Sequence, residues 1–202
     1  MPIKLISGAG GSLTVTPAST ASNYTLTVPA VTANVVTTGD SNTITQTMIN
    51  QSSFFAGYGP AFSAYCSAAN QTVSSTVWTK AQINTEEFDT ASCFDSTTNY
   101  RFTPNIAGYY QINFTAGLLA TSSMVTCAGG IYKNGSIFKY AGINASLIAN
   151  ATNLVSVSQL IYLNGSTDYI EFYGYVNGTG TLSINGSQTY LTAASGFLAR
   201  AA

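Results

Sequence analysis

The chain has 202 residues, 46% of them hydrophobic, with 6 basic and 7 acidic side chains, no histidine and a net charge of −1. Charged residues are 6% of the chain, against about 25% in an ordinary globular domain, so no face is basic enough to neutralise a run of phosphates and nucleic acid is not expected as a partner. The missing histidine excludes Ser-His-Asp and Cys-His catalysis, histidine-ligated metals and histidine pH switching. No stretch approaches a membrane span. Met1–Gly10 has no apolar run long enough for a signal peptide, so the expectation is synthesis and folding in a cytosol. Cys66, Cys93 and Cys127 are too few and too widely spaced for a disulfide scaffold. Buried free thiols are expected, with one pair as the alternative.

Residues 1–50 form one compositional block, expected to be a β-rich N-terminal attachment segment. Small and β-branched residues dominate it, and Leu13–Thr16, Tyr24–Val28 and Asn34–Thr38 read as short strands punctuated by Pro17, Pro29 and Gly39-Asp40. Such strands bury little alone and need a neighbour or a symmetry mate. Leu13, Val15, Tyr24, Leu26 and Val28 are the expected anchoring positions. The run from Ser12 to Pro29, with the Val-Val-Thr-Thr-Gly-Asp and Thr-Ile-Thr-Gln-Thr-Met-Ile segments after it, resembles the N-terminal attachment segments of bacteriophage fibres and decoration proteins. Gly8, Gly10 and Gly11 are not followed by the Gly-Lys-Ser/Thr of a phosphate loop and read as a lead-in. Residues 51–60 read as a linker, whose Phe54, Phe55 and Tyr58 need cover from the next domain or from a second copy.

Residues 61–202 read as one all-β domain. Ala61–Ala64 opens it. Val77–Ile83 is expected as a strand with Val77, Thr79, Ala81 and Ile83 alternating, and Trp78 is expected in the core. Asn84–Asp89 and Phe94–Phe102 follow. From Gly108 onward the alternation is strict: Tyr110, Ile112, Phe114, Ala116 and Leu118 fall on one face, Tyr109, Gln111, Asn113, Thr115 and Gly117 on the other. That is a strand with one face in a core. Pro104 has no N–H to give a ladder and belongs to the turn before it. Met124–Lys133 and Ser136–Ala141 form a hairpin at Asn134-Gly135, a pair suited to a type I′ turn. Leu154–Leu163 and Asp168–Val176 are expected as a second hairpin at Asn164-Gly165. A further turn is expected at Asn177-Gly178, then a short strand Thr181–Ile184 and a closing segment Gln188–Ala199. No stretch has convincing helical periodicity, and strands at such short intervals make a sandwich.

Four segments carry a family resemblance. Ala61-Phe62-Ser63-Ala64, the spaced set Phe102, Gly108, Tyr110, Ile112 and Phe114, the hairpin Tyr132–Gly135 and the closing Ser195–Ala199 resemble the complement-q globular head, whose jelly roll is shared with the tumour necrosis factors. The family prefers Phe where this chain has Ile112, and has one residue fewer between Phe94 and Phe102. The resemblance implies an all-β jelly-roll sandwich that forms homotrimers around a threefold axis. The outward aromatics Tyr109, Tyr169, Tyr173 and Tyr175, with Phe197, are then expected at the trimer interface. A carbohydrate platform and ordinary cross-strand packing are the alternatives for these rings.

Glu86, Glu87, Asp89 and Asp95 are the one concentration of charge. The leading reading is a solvated loop. Carboxylate oxygens also suit Ca²⁺, which some relatives of this fold bind, and paired carboxylates can act as general acid and base in glycan hydrolysis. No catalytic residue and no cofactor is expected. The expectation for the whole is a non-enzymatic virion structural protein: a homotrimeric capsid decoration (cement) or head-fibre protein, made in the host cytoplasm and displayed on the virion surface. Its N-terminal segment would hold the major capsid protein or another virion component. The alternatives are a receptor-binding tail-fibre tip recognising host surface glycan or protein, and a glycan hydrolase.

Overall fold

Alternation after Gly108 becomes a 14-residue strand, Ala107–Ala120, in which Tyr110, Ile112, Ala116 and Leu118 are fully buried and Phe114 nearly so. The structure is a computed structural model and describes residues 3–6, 12–15, 59–67, 69–147 and 150–202. The chain divides into two units, residues 1–45 and 46–202. In the first, β1 (Ile3–Ile6) and β2 (Ser12–Val15) pair antiparallel, Ile3 opposite Val15 and Ile6 opposite Ser12. The expected strand at Leu13–Thr16 is β2, and β1 has no counterpart in the sequence reading. The expected strands at 24–28 and 34–38, and the linker aromatics Phe54, Phe55 and Tyr58, lie outside the described residues.

In the second unit the strands in chain order are β3 (Ala61–Tyr65), β4 (Gln71–Thr72), β5 (Thr79–Lys80), β6 (Thr85–Asp89), β7 (Phe94–Asp95), β8 (Arg101–Phe102), β9 (Ala107–Ala120), β10 (Ser123–Lys133), β11 (Ser136–Leu147), β12 (Asn153–Asn164), β13 (Ile170–Thr179), β14 (Leu182–Ile184) and β15 (Ala193–Ala201). No helix occurs among the described residues. The strands build two antiparallel sheets. One runs β11-β10-β13-β8-β7, with β5 also on β13; the other runs β4-β14-β9-β15-β3-β6, with β12 on the free side of β9. This is a jelly-roll sandwich. Phe62 joins the two layers, stacking on Phe94 at 4.8 Å and on Phe102 at 4.6 Å, while Phe114 meets Phe172 at 5.1 Å. The buried Tyr110 hydroxyl donates to the Ile106 carbonyl at 2.7 Å, so the ring fills the core without an orphaned polar atom.

Three of the four Asn-Gly pairs behave differently from one another, and backbone torsion explains why. Asn134 and Gly135 have φ of 53° and 77°, the two positive values a type I′ turn needs, and β10 and β11 form the expected hairpin. At Asn164-Gly165 only the glycine is positive, at 69°. There the Asn164 side chain accepts N–H bonds from Ser166, Thr167 and Asp168 and shapes a wider turn. That turn carries the chain between the layers: β12 pairs with β9 and β13 with β10. The second expected hairpin is therefore corrected to a crossover. Asn177 and Gly178 stay extended inside β13, where a Cβ on Gly178 would lie 2.3 Å from the Ser123 carbonyl oxygen. The reversal comes at Gly180, φ 82°.

The expected strand at Val77–Ile83 shrinks to β5. Ala81 and Ile83 are buried as the alternation implies, but Val77 is half exposed. Trp78, expected in the core, lies on the outer surface instead.

Candidate functional site

The two sheets present outer faces of different chemistry. On the seven-stranded sheet the register sets Tyr109 opposite Tyr162, Gln111 between Leu160 and Phe197, Asn113 between Ser158 and Ser195, Thr115 between Ser156 and Ala193, and Gly117 opposite Leu154. Inward alternation of Tyr110, Ile112 and Phe114 forces this set outward. Tyr109, Leu160, Tyr162, Phe197 and Leu154 are between 43% and 54% exposed. Tyr109 and Tyr162 meet edge to face at 5.5 Å. Between the apolar ends runs a neutral polar ladder. Gln111 donates to Ser158 at 2.7 Å, Ser158 donates to Asn113 at 2.7 Å, and the Thr115 and Ser156 hydroxyls lie 2.9 Å apart. Neither β9 nor β12 carries a charged residue. Lys133 stands at the rim, its ammonium 5.8 Å from the Tyr162 ring and bonded to Asp168 at 2.9 Å.

The six-stranded sheet carries a second aromatic group. Tyr132 stacks on Tyr173 at 3.8 Å. Trp78 meets Tyr175 at 5.3 Å, Tyr140 at 5.8 Å and Tyr132 at 6.1 Å. Gly130 explains the placement, since a Cβ there would lie 2.9 Å from the Trp78 ring: the indole lies against bare backbone. Beside the rings, Lys80 and Glu171 form an ion pair at 2.6 Å, with the Glu171 side chain 7% exposed. Lys80 also donates to the Asn99 carbonyl, and the Tyr173 hydroxyl lies 3.4 Å from Glu171. Burial, reinforced by the Glu171 charge, pushes the Tyr173 hydroxyl up to about 12. Tyr169 is half-buried under the Arg101 guanidinium, 4.5 Å from its ring centre.

The five expected interface residues therefore do not share one surface. Tyr109 and Phe197 lie on the seven-stranded face, Tyr173 and Tyr175 on the six-stranded face, and Tyr169 just before β13 under Arg101. Leu160 and Tyr162 were not among the expected residues, although the even positions of β12, Leu154 to Tyr162, line the face of Tyr109. Of the expected anchoring residues, Leu13 and Val15 fall on β2; Tyr24, Leu26 and Val28 lie outside the described residues.

The acidic side chains are each engaged locally. Glu86 accepts from Ser96 and Glu87 from Ser63, both at 2.6 Å. Asp89 accepts from the Phe94 and Ala91 N–H groups. Asp95 takes the N–H groups of Thr97, Thr98 and Asn99 and the Asn99 amide, and these bonds, Thr98 first, hold its carboxyl far below the usual range. Among the described residues no three Asp, Glu or Cys side chains gather as a metal site would require. Cys66, Cys93 and Cys127 are free and buried. Burial raises all three thiols, Cys66 to about 12, which removes the thiolate that reactivity needs.

The fold has solved counterparts. Eiger, a tumour necrosis factor from S. frugiperda, superposes with a TM-score of 0.55 at 11% identity, over 71% of this chain and 96% of that one. Murine APRIL gives 0.50 at 10% identity, over 68% and 97%. The globular domain of the zebrafish complement 1qA protein gives 0.45 at 19% identity, over 71% and 99%. No protein-family model and no curated protein matches the sequence. The second unit thus has the tumour-necrosis-factor type of jelly roll.

Proposed function

We propose that this protein is a non-enzymatic structural protein whose jelly-roll head assembles as a homotrimer through the outer face of the seven-stranded sheet. The observation that carries the reading is the chemistry of that face. Tyr109, Leu154, Leu160, Tyr162 and Phe197 expose about half of their surface each, on strands with no charge in β9 or β12. An apolar patch of this kind marks an interaction site. A neutral polar ladder whose members already satisfy one another can be buried at little cost. Packing on this face leaves Tyr173 and Tyr175 on the opposite side of the sandwich.

The reading continues to a virion surface. The support is the Thr- and Val-rich sequence of residues 12–49, which resembles phage attachment segments. In that role the N-terminal segment binds a capsid or other virion component and the head projects outward, as a decoration or head-fibre protein does. An antibody against the head should label capsids in electron micrographs of particles carrying the protein. Label confined to tail tips would overturn the capsid assignment in favour of a receptor-binding tip. Hydrolysis is disfavoured by the acidic residues themselves, since Glu86, Glu87, Asp89 and Asp95 are committed to turns and hydroxyls around them.

Assembly is tested by Leu160→Asp, which places a charge in an apolar end of the face without touching the core. The variant should lose the trimer while keeping the β-sheet circular dichroism. A variant as trimeric as the parent would refute this interface.

A further inference from the structure

The aromatic group around Trp78 lies on the sheet that the proposed self-association leaves free, and its surroundings describe a ligand. Thr126, Ala128 and Gly130 of β10 point outward. The register sets Asn144, Gly142 and Tyr140 of β11 on one side of them and Asn177, Tyr175 and Tyr173 of β13 on the other. Ala128 is 3% exposed and lies beneath the side chains around it, so the low open floor is the exposed Gly142, on β11 between Tyr140 and Asn144 and beside the rings of Trp78 and Tyr175. Tyr140 is 64% exposed. At the far end of the floor the Thr126 hydroxyl donates to Asn144 Oδ1 at 3.0 Å, which leaves the Asn144 Nδ2 group to donate elsewhere. Beside the rings, Lys80 and Glu171 neutralise each other, and Lys139, next in sequence to Tyr140, pairs with inward-facing Ile131 and so lies on the other side of β11.

We propose that this trough binds a neutral pyranose ring of a glycan. An aromatic wall stacks on the apolar C–H face of a sugar ring. Uncharged amide and hydroxyl groups at the end of the floor match sugar hydroxyls. A phosphate or an acidic sugar would find no unpaired cation there, and an apolar peptide side chain would leave Asn144 and Asn177 facing it without partners. The site is complete within one chain, so it stands or falls separately from the trimer.

Trp78 is the sole tryptophan, so its fluorescence reports this trough alone. Full-length protein is titrated with neutral oligosaccharides (maltohexaose, cellohexaose and mannohexaose) and with acidic oligogalacturonate. The expected result is a saturable change in emission with at least one neutral glycan, with Kd on the order of 1 mM for an open trough with few contacts. Tyr140→Ala, at an exposed position on an edge strand, should weaken that binding about three- to tenfold, in line with the loss of one stacked ring, and Asn144→Ala should weaken it as well. Both variants keep Trp78 as the reporter, and circular dichroism checks their fold. No emission change with any neutral glycan overturns the proposal. So does a response to oligogalacturonate alone, or neutral-glycan binding that neither variant weakens.

Discussion

Charge is scarce in this chain, and the few carboxylates that the described fold places in turns and pairs have structural work. Asp95 and Asp168 are both held below the ordinary carboxylate value of 3.8. For Asp168, partial burial acts to raise the carboxyl, but hydrogen bonds from Asn134 and Lys133 and the Asn164 N–H outweigh it. A carboxyl lowered in the folded state adds stability that is fully present above its unfolded pKa. That stability is lost as pH falls from about 4 toward the folded value. Denaturant midpoints should therefore fall steeply below about pH 4 in the parent, and less steeply in Asp95→Asn and Asp168→Asn. A different kind of test applies to Lys80. Its loss in Lys80→Ala leaves the Glu171 carboxylate buried without its cation, and the 33% exposure of the lysine side chain tempers the effect. The expected cost is about 2–3 kcal/mol in urea unfolding. A change within about 0.5 kcal/mol would show that water replaces the ammonium.

At the scale of elements, the sequence is most legible where a period is long and one-sided. The run from Gly108 to Leu118 became the buried face of β9, and Pro104 lies in the turn before it, because strict alternation leaves a strand only one way to bury Tyr110, Ile112 and Phe114. Hairpins were less legible. The same Asn-Gly dipeptide supplies a type I′ turn at 134, a crossover at 164 and an extended stretch at 177, since the sheet that captures each flanking strand decides the torsion. Trp78 escaped the sequence reading because the notch that receives it is made by Gly130 on a strand more than fifty residues away. The face shared by Tyr109, Leu160 and Phe197 was likewise hidden, because it needs the β12–β9–β15 register. Close approach is testable at Gly196 of β15, where a Cβ would lie 2.6 Å from Ile112 Cδ1 and 2.9 Å from Phe62 Cε1. Both are core atoms with nowhere to move, so Gly196→Val should cost about 3 kcal/mol of stability by overpacking. A neutral outcome in thermal or urea unfolding would mean that β3 and β9 can separate around the new side chain.

For the molecule as a whole, the sandwich settles its interior with one aromatic core and leaves an aromatic group on each outer face. One sheet offers a broad apolar face with a self-satisfied polar ladder, suited to a second copy of the same protein. The other offers a narrower trough around a single tryptophan, suited to a small neutral ring. The division of labour depends on the first face being covered by self-association. Light scattering on the full-length protein at micromolar concentration measures that directly. Three times the chain mass of 21.1 kDa, falling to one chain mass in Leu160→Asp, is the predicted result. A parent that runs as a monomer, or a Leu160→Asp variant that remains a trimer, would contradict it.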